Sequence, residues 1–403
     1  MKTLSLLQST LQESRKRTDA IFALIKPESL YLRPIPERHR LIFYLGHLEA
    51  FDWNQLCRWT LDIPSFHPEF DALFEAGIDP REGELPQDDP SDWPSVEEVH
   101  TYNAHVRHAI DGAIEDVSPD MVQVIIEHRL MHAETTAYLM QHMNEEGKIN
   151  PGVVSSFSRM SPELQMVHIP GGSITLGQNP TDGFGWDNEF SAHILQVQDF
   201  HISKYKVTNG QYLQFVEEGA PPPPFWAKVE GQWVIRTMFG YCELPLDWPV
   251  YVSQQEALAY AQWQGMALPS ESQYHRAAYG TFSDEERLFP WGNSPPNGRQ
   301  GNFNFKSWDP HAVTADPEGD SAFGVSQMLG NGWEWTSTEF HPFEGFAPML
   351  TYPGYSTRFF DHDHYVVKGA GPQTASCFLR RSFRNWFRTG YPHAHVGFRC
   401  VSQ

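Results

Sequence analysis

Apolar residues from Leu4 to Met143 recur mainly at helical spacing. Thr3–Ile25 repeats them on one face, and Pro27, Pro34 and Pro36 punctuate its end, which predicts a first helix. In Pro34–Leu61, PIPERHRLIFYLGHLEAFDWNQLCRWTL, positions Ile42, Leu45, Leu48, Phe51 and Leu56 fit one buried stripe of a second helix. Phe66–Ser95 holds several prolines and an acidic run, and reads as a solvated connection with a short helix. Helical periodicity returns over Val96–Ile114 and Pro119–Met143, where Pro119 suits a first turn. Residues 1–145 are therefore expected to form a four-helix bundle with antiparallel neighbours.

Asn144–Glu163 is polar and carries Gly, Pro and Ser, so residues 146–163 are assigned as a linker. The pattern then changes. MVHIPGGSITLGQ, HILQVQDFHISKYKVT and GQWVIRT set β-branched and aromatic residues between glycine turns and predict strands. Two short helices are expected, Asn209–Glu217 and Gln254–Trp263. From Thr281 onward Gly, Pro, Asn and aromatics dominate without regular period, which predicts mostly coil. The fold class expected is α+β, with a second domain over residues 164–403.

A chain of 403 residues exceeds one ordinary core, which agrees with two domains. Its formal net charge of −21 disfavours nucleic acid or an anionic membrane as partner. No run of about 20 apolar residues is present, and MKTLSLLQSTLQESRKRTD turns polar too early for a secretory signal. Cys57, Cys242, Cys377 and Cys400 are scattered, with no CxxC, as for reduced thiols in a cytoplasm. The oligomeric state is not legible.

One stretch carries metal chemistry. In IEHRLMHAETTAY, His128 and His132 are spaced by four, and on a helix such residues share a face and can aim both rings at one ion. With 19 histidines in the chain such a pair is expected about once by chance, so a third ligand has to be found. Arg129 stands where a zinc protease carries its glutamate, which argues against that class, and Glu134 points to another side of the helix. His47, inside the second helix, is either a satisfied core residue or the missing ligand. Glu49 and Asp52 beside it are read as acceptors orienting imidazoles, or as solvated acids.

Seven signposts in order give residues 164–401 a resemblance to the formylglycine-generating-enzyme (sulfatase-modifying-factor) fold. They are MVHIPGGSITLG, DNEF (Asp187–Phe190), KVTNGQYLQFV, ALPSESQYHRAAYG, FPWGN, GNGWEWT (Gly330–Thr336) and GFRC (Gly397–Cys400). The resemblance implies an irregular, coil-rich, C-type-lectin-like domain. Formylglycine generators use a thiol pair to bind copper; this chain has only Cys377 in that neighbourhood, which argues against that chemistry. GHLEAFDW followed by HRLMHAE resembles another branch, in which a DinB-like helical domain precedes the same fold: the ergothioneine-type sulfoxide synthases.

That likeness implies iron(II) held by His47, His128 and His132, with O2 as cosubstrate, and a small thiol joined to the imidazole of a histidine betaine. Three neutral imidazoles suit iron(II) and leave positions open. Asn385 and Trp386 of SFRNWF are implied to line the imidazole pocket, where a Trp face is a cation–π partner for trimethylammonium. A catalytic tyrosine is expected after GNGWEWT, to deliver a proton or an electron, with Tyr352 and Tyr355 as candidates. The chain departs from the pattern at Phe387, where an acidic residue is expected, and at Met131, where a glutamine contacts the imidazole substrate. For the thiol's carboxylate only Arg388 lies close, and the Pro80–Trp93 loop offers only Arg81.

Two other readings stay open: an iron-dependent thiol oxidase without an imidazole acceptor, and a non-catalytic ligand-binding member of the fold. His362/His364 and His393/His395 alternate as strand neighbours do and are expected to face solvent rather than a second metal. Asp187/Glu189 and Asp316–Asp320 are candidates for structural calcium.

Overall fold

The computed structural model describes residues 4–75, 85–153 and 160–403, and its contacts divide the chain into Met1–Gly152 and Val153–Gln403. Arg81 lies outside the described residues. The chain is α+β, a helical unit followed by a mixed sheet unit. Among the described residues no helix is long and apolar enough to cross a membrane.

The first unit contains α1 (Leu4–Phe22), α2 (Leu41–Asp52), the short α3 (Pro68–Leu73), α4 (Val96–Ala113) and α5 (Pro119–His142). Ser95 opens α4 with a capping box, its hydroxyl accepting from Glu98 N while Glu98 accepts from Ser95 N. Pro119 takes the first turn of α5, as the sequence led one to expect, and Ser118 caps it. Helix α2 differs from the expected single stripe, because all of its twelve residues are buried. It packs against both α4 and α5, and a helix contacted from several sides needs no polar face. Beyond Asp52 the chain continues as a π-helix over Trp53–Thr60.

Segment 66–75 is more than a solvated connection. Its α3 carries Asp71, 1% exposed, which accepts from Trp53 Nε1 at 3.1 Å and from the Tyr102 hydroxyl at 2.8 Å. Those bonds fasten α3 to the bundle and bury Phe74 at its C-terminus. Residues just after α5 also join the bundle: Ile149 N donates to Leu24 O, and Lys148 Nζ donates to Met140 O.

The second unit has strands β1 (Met166–Ile169), β2 (Gly172–Leu176), β3 (His193–Val197) and β4 (Phe200–Ser203), then α6 (Asn209–Glu217). A meander β5–β7 (Trp226–Val229, Gln232–Arg236, Tyr241–Glu243) is followed by α7 (Gln254–Trp263) and α8 (Glu271–Tyr279). Strands β8 (Gly332–Glu339), β9 (His364–Ala370), β10 (Asn385–Arg388), β11 (Val396–Gly397) and β12 (Val401–Ser402) complete it. The order β10-β9-β8-β11 makes a four-stranded sheet, antiparallel except where β11 joins β8.

That sheet lies where mostly coil was expected. The first five residues of β8 and six of seven in β9 are buried, so neither shows the alternation by which a strand is recognised. Helix α8 was not expected either; seven of its nine residues are buried, again leaving no polar face. Helices α6 and α7 have the expected limits, each behind a capping box, Thr208 with Gln211 and Ser253 with Glu256.

Two signposts meet in the core. Glu334 of GNGWEWT accepts from Arg399 of GFRC at 2.5 and 3.0 Å and from Lys206 at 2.7 Å, with all three side chains fully buried. Burial pulls the Lys206 ammonium down to about 8 although Glu334 works against that shift.

Candidate metal centre

Helix α5 presents His128 and His132 one turn apart, and α2 brings His47 to face them. Ring centroids are 5.1 Å apart for His47–His128, 4.9 Å for His47–His132 and 4.5 Å for His128–His132. One nitrogen of each ring lies within 4.8 Å of the others, and all three side chains are buried. The two rings on α5 approach through their Nε2 atoms, 3.2 Å apart.

The His47 ring is oriented through its other nitrogen. Nδ1 lies 2.6 Å from Phe74 O, and since a carbonyl only accepts, Nδ1 carries the proton. Nε2 is left as a bare lone pair, buried and without a hydrogen-bond partner. Such an atom fits a metal ion as its missing partner. Gly46 makes room for this arrangement: a Cβ there would meet Phe74 ring carbons at 2.5 Å.

Burial also sets the charge. Desolvation pulls His47 down to about 4, and burial followed by the neighbouring imidazoles holds His128 and His132 well below the usual range. All three rings are neutral at pH 7 and need lose no proton to bind a cation. Aromatic walls enclose them: Phe51 stacks on His128 at 3.4 Å and 11°, and Phe43 on His47 at 4.8 Å and 20°. Phe43, His47 and Phe51 recur every four residues, a signal that was legible in FYLGHLEAF. The Phe74 acceptor left no such signal, because a backbone carbonyl is the same in every residue.

Glu49 and Asp52 are buried and serve Arg129 rather than the imidazoles. Arg129 donates to Glu49 at 3.0 and 2.8 Å and to Asp52 at 2.5 Å, and Arg107 adds a bond of 2.8 Å to Glu49. A guanidinium next to His128 needs carboxylates close by, and these two lie on α2 just past His47. Burial pushes Asp52 up; at Glu49 burial acts in the same sense, but Arg129 and Arg107 outweigh it and hold the carboxyl low. Among the described residues no carboxylate joins the three converging nitrogens. Met131 and Glu134, on the same helix, are half-buried.

In the second unit Tyr355 and Trp386 come together. Tyr355 stacks on Trp186 at 4.1 Å and meets Trp386 edge-on at 5.4 Å, while Trp386 stacks on Phe340 at 4.3 Å. Tyr352 is half-buried at the rim, 6.0 Å from Tyr355. Alternation along β10 puts Asn385 and Phe387 on the face opposite Trp386 and Arg388. Asn385 Oδ1 accepts from Trp386 N at 2.9 Å, and Phe387 stacks on Tyr391 at 5.4 Å.

The acidic stretches are already engaged. Glu189 accepts from Arg380 at 2.8 Å and Ser382 at 2.7 Å, Asp187 accepts from Ser356 at 2.6 Å, and Asp316 meets His311 at 2.7 Å. Neither stretch gathers converging ligand atoms among the described residues, so the calcium expectation finds no assembled site. The outer histidine pairs divide between surface and interior. His364 and His395 are buried, against Asp361 at 2.8 Å and Gln373 at 3.0 Å, while His362 is exposed. The four cysteines are unpaired with one another.

Residues 10–150 match the DinB superfamily and residues 151–403 the sulfatase-modifying factor enzyme 1-like domain, so fold and site define a two-domain protein with a histidine triad in its helical half. Hercynine oxygenase of Mycolicibacterium smegmatis is 33% identical over 346 residues, covering 79% of this chain and 80% of that protein. Its counterpart of the same name in Mycolicibacterium thermoresistibile is 31% identical, covering 79% and 77%. The chain belongs to the family of these hercynine oxygenases, within the sulfatase-modifying factor enzyme 1-like proteins. Ergothioneine biosynthesis protein 1 of Neurospora crassa is 28% identical and covers 94% of this chain, which spans 55% of that longer protein.

Proposed function

We propose that this chain is an iron(II)- and O2-dependent sulfoxide synthase that joins the sulfur of a small thiol to the imidazole of a histidine betaine, as in ergothioneine biosynthesis. The observation that carries this reading is the convergence of three buried, neutral imidazoles without a carboxylate, in a relative of proteins named hercynine oxygenase. His47, His128 and His132 hold the iron. The iron, when bound, supplies O2 activation and a binding position for thiolate sulfur.

The chain's own residues position the rest. Trp386 offers an aromatic surface to a trimethylammonium group, and Asn385 fixes the local backbone through its bond to Trp386 N. Tyr355, packed against Trp386, and Tyr352 beside it are the candidates to move a proton. Arg388 is the cation assigned to the thiol's carboxylate. Met131 gives apolar surface where a polar contact to the imidazole substrate was expected, and Phe387 lacks the acid expected at its position, so the thiol is assigned only as a small one. The four cysteines form no disulfide with one another, in keeping with a cytoplasmic enzyme.

The test is anaerobic reconstitution with iron(II), then O2 uptake with a panel of thiols, with and without trimethylhistidine. Uptake that depends on both substrates and yields a carbon–sulfur bond is expected. Uptake indifferent to trimethylhistidine assigns a plain thiol oxidase instead, and failure to retain iron leaves a binding protein. Replacing His128 or His132 by alanine is expected to abolish iron retention and turnover; survival of both overturns the ligand assignment.

A further inference from the structure

A second group of donors lies in the sheet unit, and no step of the proposed reaction uses it. Glu339 ends β8 and His341 follows two residues later, so in extended chain both side chains leave the same side. Phe340 between them points the other way and stacks on Trp386 at 4.3 Å. The turn before β9 brings His362 to the same place: its Nδ1 contacts Glu339 Oε1, while His341 Nε2 lies 3.1 Å from Glu339 Oε2. The two imidazoles are 5.3 Å apart, and one ligand atom from each residue falls within 4.8 Å of the others.

We infer that Glu339, His341 and His362 form a second, solvent-accessible metal site for a divalent cation that accepts imidazole and carboxylate donors together, zinc first among them. Metal–ligand distances of about 2.1 Å place donors about 3.4 Å apart around such an ion, so side-chain rotation of one to two ångströms closes this group on it.

The backbone holds the donors ready. Arg384 Nη1 donates to His341 O at 3.0 Å, and Phe340 N donates to His364 O at 2.8 Å. Asp361 Oδ1 accepts from Asp363 N at 3.0 Å and from His364 N at 3.1 Å, closing the turn that carries His362. His362 itself has φ +69°, a left-handed conformation that few non-glycine residues adopt, and its side chain is 80% exposed. Although exposed, that imidazole already meets Glu339 through its Nδ1, which holds it beside the other two donors. The exposure also leaves room for water or an outside ligand on the ion, and the chain's net charge of −21 favours cations near its surface.

Metal-free full-length protein dialysed against buffered zinc tests this, with zinc per chain as the readout. Two zinc ions per chain are expected. His362→Gly, which also relieves the left-handed backbone, and Glu339→Gln are each expected to leave one. His128→Ala/His132→Ala is expected to retain one, lost when His362→Gly is added. One zinc in wild type, unchanged by His362→Gly, overturns the second site and leaves two surface hydrogen bonds. Because the two sites are emptied by different substitutions, failure here does not touch the triad.

Discussion

His47 Nδ1 lies 2.6 Å from the carbonyl oxygen of Phe74, the residue that caps the short helix α3, 27 positions further along the chain. The ring of that phenylalanine rests where a Cβ at Gly46 would stand, at 2.5 Å. Gly46→Ala should therefore push Phe74 away and turn the His47 imidazole. The expected cost is about 1–3 kcal/mol of stability, as for overpacking elsewhere. Chelator competition should show weaker metal binding as well. An alanine variant with wild-type urea midpoint and metal affinity would sever this link.

Among the described residues Arg129 is the cation bonded to Asp52, and it shares Glu49 with Arg107. Arg129→Met should leave a buried carboxylate uncompensated and destabilise the bundle by about 3–5 kcal/mol. Adding Asp52→Asn should recover part of the loss. A double variant no more stable than the single one, by urea denaturation, would show that the two residues do not act as a pair.

The metal-free protein should lose stability as pH falls below about 6.5. The sign follows from burial. Folded His47, His128 and His132 have depressed pKa values, so the unfolded chain takes up protons first and is favoured in acid. For His47 the window extends down to about 4. Each imidazole contributes a slope of ~1.4 kcal/mol per pH unit. Asp52, raised by burial to about 6, works in the opposite sense and offsets one of them. Urea midpoints between pH 7.5 and 5 measure the sum; a flat profile would mean that the rings are not buried neutral.

Trp386 gives a prediction about discrimination. Trp386→Ala should raise KM for trimethylhistidine by ~2- to 30-fold, the range of a cation–π contact of about 0.5–2 kcal/mol. KM for the thiol should move less, and Trp386→Phe should keep part of the effect. Equal losses for both substrates would mean that Trp386 only supports Phe340, on which it stacks.

The helical half was legible where polarity alternates with burial or where a cap announces a start. Pro119 marked α5, and the i, i+4 spacing of His128 and His132 put both imidazoles on one face. Helices α6 and α7 were legible as short helical segments, whereas α8, although Ser270 with Gln273 caps it just as Thr208 and Ser253 cap those two, is buried nearly all round and shows no polar face. Strands β8 and β9 were missed for the related reason that burial on both faces erases a period of two. Motif order located the sheet unit, and the joining of Glu334 to Arg399 now explains why GNGWEWT and GFRC carry that information. Pairings between distant residues, Arg129 with Glu49 or His47 with Phe74, depend on how helices dock and have no one-dimensional trace.

The triad draws its nitrogens from two separate helices, α2 and α5. On the proposed ligand set, capture of an ion and docking of those helices are one equilibrium, since an undocked bundle would offer at most a two-point grip. Free ion at a hundred times its dissociation constant would add about 2.7 kcal/mol to the folded state. A melting curve recorded across a series of cations thus ranks their affinities without any assay of turnover. On that reading, scarcity of the right ion would lower the stability of the fold as well as stop turnover.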